Sequence, residues 1–174
     1  MAFAANAPYA VAIPIGVVDT GKSVASTSTL QPTIPLGTII HGVDPTYGEG
    51  EFIFLAGAAS IGVGELCTYD GTTFAAIRAT TVPNQARPVA VSMAANTASQ
   101  WGWFQISGTA TVKKRAVIMA AKIAVGVGST GKLGATASGK EVQNMRTANT
   151  ASVLSATTTI TVIMDRPHLQ GRVT

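Results

Sequence analysis

The run TrpGlyTrpPheGlnIle at 101–106 constrains the fold of this chain more than any other stretch. An extended strand sends alternate side chains to opposite faces, so Trp101 and Trp103 share one face while Phe104 and Ile106 share the other. Both faces are apolar, and each therefore needs a cover. The expected covers are the chain's own core on one side and a neighbouring subunit or partner on the other. That points to assembly ahead of catalysis.

The flanking sequence has the same strand-and-turn grain. ThrIleIle (38–40), PheIlePheLeu (52–55) and GluLeuCysThrTyr (65–69) read as strands, and AspGly at 70–71 predicts a two-residue hairpin returning through ThrThrPheAlaAlaIle (72–77). ValAlaValSerMet (89–93) should turn Val89, Val91 and Met93 inward, as Ile160, Val162 and Met164 should share a face in ThrIleThrValIleMet (159–164). Only 113–122 reads as a short helical turn. With 18 Gly and abundant β-branched residues, the composition favours strands and turns over helix interiors. Nothing alternates in the way a parallel α/β sheet requires. The expected fold is mainly β, a small antiparallel β-barrel or sandwich with an extended N-terminal arm, and 174 residues suffice for one such domain.

The arm is placed at 1–35 and the β domain at 36–174. Pro8, Pro14, Pro32 and Pro35 disfavour helix, and SerThrSerThr at 26–29 is linker-like. An arm with so little core must lie on the domain or on a neighbour, with Phe3, Tyr9, Val11, Ile13 and Ile15 supplying the contacts. Residues 2–20 are then expected to be dispensable for folding. Pro8, Pro14 and Gly16 interrupt the apolar N-terminus, and no basic region precedes it, so neither a membrane span nor a signal peptide is expected.

Charge is sparse and unevenly placed. Charged residues make up 11% of the chain against about 25% in ordinary domains. Residues 1–77 hold six acids and one base, a net −5, whereas 78–174 hold eleven bases and two acids, a net +9. Either the two halves interleave and partly cancel, or like subunits meet acidic edge to basic edge. LysLysArg at 113–115 is the one basic cluster, and no aromatic-lined basic groove accompanies it, so nucleic acid is not an expected partner.

Several motifs imitate chemistry. GlyValValAspThrGlyLysSer (16–23) has the spacing of a phosphate-binding loop, but that loop must open a helix, and the residues that follow do not favour one. GlyValGlySerThrGlyLysLeu (126–133) is better explained as a hairpin turn. His41 with Asp44 lacks a placed serine, the acids Asp44, Glu49 and Glu51 lack a calcium-loop spacing, and Cys67 reads as a buried small hydrophobe. No catalytic residue, cofactor or metal is expected.

ProLeuGlyThrIleIleHisGlyValAspProThrTyrGlyGluGlyGluPheIlePheLeu (35–55) and AlaArgProValAlaValSerMetAlaAlaAsnThrAlaSerGlnTrpGlyTrpPheGlnIleSerGlyThrAla (86–110) carry a more specific signal. Together they resemble a group of tailed-bacteriophage virion proteins found beside the major capsid protein, the head decoration or cement proteins. The resemblance spans about residues 35–165. It implies a non-enzymatic β domain, made in the host bacterial cytoplasm, that docks on the outer surface of the virion and bridges major capsid protein subunits, homo-oligomeric with neighbouring copies on the shell. The expected capsid or subunit contacts are Phe3, Tyr9, Ile13 and Ile15 in the arm, Trp101 and Trp103, and Lys113, Lys114 and Arg115. The alternative is a capsid-surface adhesion module for host glycan or protein, which calls for an exposed aromatic cluster at Trp101, Trp103 and Tyr47.

Overall fold

The structure, a computed structural model, describes residues 15–23 and 30–172 together with residues 4–5; Ala4–Ala5 and Lys22–Ser23 are described as backbone only. In chain order the strands are β1 (Ala4–Ala5), β2 (Lys22–Ser23), β3 (Leu30–Gln31), β4 (Ile39–Asp44), β5 (Gly48–Ala56), β6 (Leu66–Tyr69), β7 (Ala76–Arg78), β8 (Val89–Ser92), β9 (Trp101–Lys113), β10 (Ala124–Ser129), β11 (Lys132–Gly134), β12 (Glu141–Thr147) and β13 (Thr159–Leu169). Among the described residues there is no helix. The fold is mainly β, as composition and patterning predict.

The 13-residue strand β9 organises the sheet. It pairs with β5 from Trp101 to Gly108 and with β13 from Ser107 to Lys113, while β8 joins it at Phe104 and Gln105. Beyond these the order runs outward through β4 to β1 on one side and through β12 and β10 to β11 on the other, every ladder antiparallel. A bridge between Lys114 and Leu133 brings β11 back to the end of β9, so the sheet curls into a half-barrel. Gly108 stands where β9 carries both neighbours. Its φ is +92°, and a Cβ there would collide with the Glu49 carbonyl, so the close approach of β5 requires glycine.

Alternation along these strands builds three apolar clusters. Inside the curl, Val112, Val125, Leu133, Val142, Ile160, Val162 and Met164 pack with Leu66, Val89 and Val91. One face of the β5–β9 pair carries Ile53, Leu55, Phe104 and Ile106, covered by Cys67, Ala76 and Ala90 of β6–β8. The other carries Phe52, Phe54 and Trp103, covered by Ile15 and Met93, with Ile34, Leu36, Ile40, Tyr47 and Trp101 at its margin. The alternation predicted for 101–106 is therefore present, but both faces are closed by the chain itself. No neighbouring subunit is needed there, because Ile15, Ile34 and Leu36 fold back as part of the second cover.

Three local expectations are corrected. Met93 does turn inward, but onto the Trp103 face, away from Val89 and Val91. AspGly at 70–71 does not form a two-residue turn: Asp70 accepts the N–H of Phe74 at 2.9 Å and donates to Ala75 O at 3.1 Å, and the left-handed residue is Phe74 at φ +55°. The Asp70 carboxylate prefers to cap the N–H groups of Thr72 and Thr73, which sustains a longer loop. Residues 113–122 are not helical; β9 runs on to Lys113, and Lys114 and Met119 each make a strand-like bridge. Long-range pairing outweighs the weak helical preference of AlaValIleMetAlaAla.

Candidate functional site

The two tryptophans are engaged within the fold. Trp103 is 2% exposed, and its ring lies 5.0 Å from that of Phe54 at a 58° tilt, an arrangement that suits the quadrupoles of two aromatic rings. Ile15 is buried against them. Trp101 is half-buried and held at its backbone: its N–H donates to Asp19 O at 2.9 Å, and the Asp19 N–H donates to Trp101 O at 2.8 Å. The Asp19 carboxylate in turn accepts from Gly21 N–H, Thr33 N–H and the Thr33 hydroxyl at 2.6–2.8 Å. Gly21 rests on the Trp101 ring, where a Cβ would come within 2.7 Å of the indole. Ile15 and Trp103 are thereby removed from the expected contact surface, since they lie in the chain's own interior. Phe3, Tyr9 and Ile13 fall outside the described residues.

The basic cluster separates into three environments. Lys113 forms an ion pair with Glu65 at 3.2 Å, and Glu65 also accepts the Gly62 N–H. Lys114 is only 3% exposed; its ammonium donates to the carbonyls of Val117 at 2.7 Å and Arg115 at 3.3 Å. It too leaves the list of surface contacts, because β9 alternation turns it inward. Arg115 is exposed.

These residues sit between two grooves. The chain bends at 116–117, where the Val117 N–H donates to Arg115 O at 2.7 Å, so the side chains of this segment are divided between the two grooves. Lys114 and Ala116 line a groove of about 520 Å³ shared with Lys113, Lys132 and the loop Ser155–Thr159, whereas Arg115 and Val117 line one of about 310 Å³ shared with Thr136 and Lys140. Just beyond, Met119 and Val153 exchange backbone hydrogen bonds of 3.0 and 2.8 Å. That register sets Ile118 opposite Leu154, and each is 65% exposed. Sequence patterning missed this pair because Ile118 fell in the expected helical turn and Leu154 in a loose polar stretch. The only available signal was the ValLeu pair at 153–154 flanked by serines.

Charge placement resolves the imbalance between the two halves. Asp19, Asp44 and Asp70 cap turns through nearby N–H groups, and those from Thr73 and Thr72 hold the Asp70 carboxyl below its usual value. Glu65 pairs with Lys113. Glu51 takes a two-pronged contact from Arg166 at 3.0 and 3.2 Å, with His41 Nε2 at 3.7 Å. The Arg166 hydrogen bond holds Glu51 below its usual value against the opposing effect of burial. Five of the six acids in the first half are thus engaged within the fold, and the two ion pairs join the acidic half to the basic one. Arg87, Arg115, Lys132 and Arg146 remain on the surface.

The imitation motifs have structural explanations. Lys22 and Ser23, where a phosphate loop would enter its helix, are a strand paired with Leu30–Gln31. Residues 126–133 form the β10–β11 hairpin, with Gly131 at φ +70°. Cys67 is fully buried and its thiol pKa is pushed up by desolvation. Among the described residues no three of His, Cys, Asp and Glu gather as metal ligands.

In comparisons with known proteins, no protein-family model matches this chain and no curated protein matches it.

Proposed function

We propose that this protein is a non-enzymatic structural component of a tailed-bacteriophage virion, a cement protein that binds the outer surface of the head and bridges major capsid protein subunits. The observation that carries the reading is the self-contained β domain spanning the two blocks that resemble decoration proteins. Its aromatic core is closed, its acids are engaged internally, and its exposed charge is left predominantly basic. Such a domain is suited to dock as a unit on a larger surface. A ligand that binds only the assembled shell adds its binding free energy to shell stability. Many weakly held copies suffice, because the lattice presents its sites at high effective concentration.

The adhesion alternative loses its main support. It needs Trp101, Trp103 and Tyr47 exposed together, whereas Trp103 is buried and the other two are half-buried at the margin of the same cluster.

The test is reconstitution. Expanded heads lacking the protein are mixed with purified chain, occupancy is measured by sedimentation, and disruption is followed on heating. Occupied heads are expected to break at a higher temperature than bare ones. Coincident disruption curves at full occupancy would overturn the cement role.

A further inference from the structure

We propose that the segment from Lys114 to Met119, with a groove on each side and the Ile118–Leu154 pair at its end, is a docking surface for an acidic, partly apolar segment of a different protein. The first support is the charge of the groove walls. The two grooves are lined by Lys113, Lys114, Lys132, Arg115 and Lys140, and Glu65 is the one carboxylate among their lining residues. Glu65 is already held by Lys113 and the Gly62 N–H, and among the described residues Arg115, Lys132 and Lys140 form no ion pair.

The second support is rigidity. Main-chain hydrogen bonds tie the segment at three points: Lys114 N–H to Thr158 O at 2.9 Å, Arg115 N–H to Leu133 O at 2.7 Å, and Met119 N–H to Val153 O at 3.0 Å. The Lys114 ammonium pins it from beneath. A surface ordered before binding loses little entropy on binding.

The third is the apolar pair. Ile118 and Leu154 stand side by side at 65% exposure while their neighbours Met119 and Val153 turn inward. Ile118 follows Val117 of one groove and Leu154 precedes Ser155 of the other, and an apolar pair next to basic grooves fits a segment that alternates carboxylates with aliphatic residues. A second copy of this chain is a poor occupant. Five of the six acids of its first half are engaged internally, and each copy carries a net +4. A nucleic acid would leave Ile118 and Leu154 uncovered and find no exposed aromatic ring to stack on along this segment. The virion reading enters only as the source of the partner, the outer face of the shell.

The experiment uses the full chain and a labelled peptide of alternating glutamate and leucine, followed by fluorescence anisotropy, with a DNA duplex as the competing polyanion. Arg115→Glu combined with Lys132→Glu is expected to weaken peptide binding at least about tenfold. Arg87→Glu combined with Arg146→Glu makes the same change in net charge outside the grooves and is expected to cost less than about threefold. Ile118→Ser with Leu154→Ser should also weaken binding, with little dependence on salt. All six positions are exposed, so the variants should fold. Absence of peptide binding, equal losses in the two charge variants, or tighter binding to the duplex would overturn the surface. On bare heads the same variants separate the two proposals. Wild-type occupancy unchanged by Arg115→Glu and Lys132→Glu removes this surface and keeps the cement reading. Failure of the wild type to bind heads, with the peptide pattern intact, removes the cement reading and keeps the surface.

Discussion

Replacing Trp103 with alanine separates a core role from an interface role. The indole is 2% exposed, tilted against the Phe54 ring at 5.0 Å and enclosed by Ile15, Phe52 and Met93. Truncating a buried aromatic of this size costs the lost transfer free energy plus the cavity left behind, about 3–5 kcal/mol. Against a typical domain stability of about 5–15 kcal/mol this is a large fraction. For a domain of this length it corresponds to a fall in Tm of roughly 6–20 °C. Urea unfolding of the isolated chain, followed by tryptophan emission from Trp101 and by circular dichroism, measures the loss. A cycle with Phe54→Leu should show a coupling of about 0.5–1.5 kcal/mol for the ring pair. If Trp103 instead faced a partner, the isolated chain would lose no more than about 0.5 kcal/mol and only association would weaken. A loss below about 1 kcal/mol with an unchanged urea slope would refute the core assignment.

Deleting residues 2–14 should leave the melting temperature nearly unchanged, whereas deleting 2–20 removes buried Ile15 and the Asp19 bonds and should cost at least about 2 kcal/mol in thermal or urea unfolding. Equal stability of the two truncations would show that this segment is not part of the folding unit. Glu51→Gln should lower Tm at neutral pH. The folded pKa of Glu51 lies below its ordinary 4.5, so its contribution is complete above that value and fades as pH falls through the folded pKa. The gap between wild type and variant should therefore close in acid, and a gap that persists well below pH 4.5 would contradict the Arg166 contact. Cys67, buried with a raised thiol pKa, should resist a disulfide reagent in the native protein at mildly alkaline pH and react fully in urea; rapid native labelling would contradict its burial.

The parts of this fold legible in sequence are those set by local chemistry. Strand-like composition and period-two alternation located strands at 52–55, 89–93, 101–106 and 159–164, and alternation assigned Trp101 and Trp103 to one face and Phe104 and Ile106 to the other. Glycines marked the 128–131 turn. Elements governed by longer connections were misjudged. AspGly at 70–71 has the composition of a tight turn, yet the Asp70 cap favours a longer loop. Lysines and small apolar residues at 113–122 have a mild helical preference, yet pairing with Leu133, Thr158 and Val153 holds the segment in irregular, non-helical chain. Of the nine candidate contacts, Arg115 is exposed, and Ile15, Trp103 and Lys114 are buried, because burial depends on what lies across from a residue.

The apolarity of both faces of 101–106 required two covers, and the scarcity of helix-forming stretches required that they be strands or extended chain; side-chain alternation and backbone propensity, read residue by residue, carry that much. Which segments supply the covers depends on contacts between residues distant in the chain. Asp19 bonds to Trp101, Ile15 enters beside Trp103, and Glu51 reaches Arg166 across 115 positions. No local pattern specifies such pairings. They follow from the register of β9 with both its neighbours, and that register turned an apparent interface into a core and left Arg115 and Lys132 exposed at a basic edge.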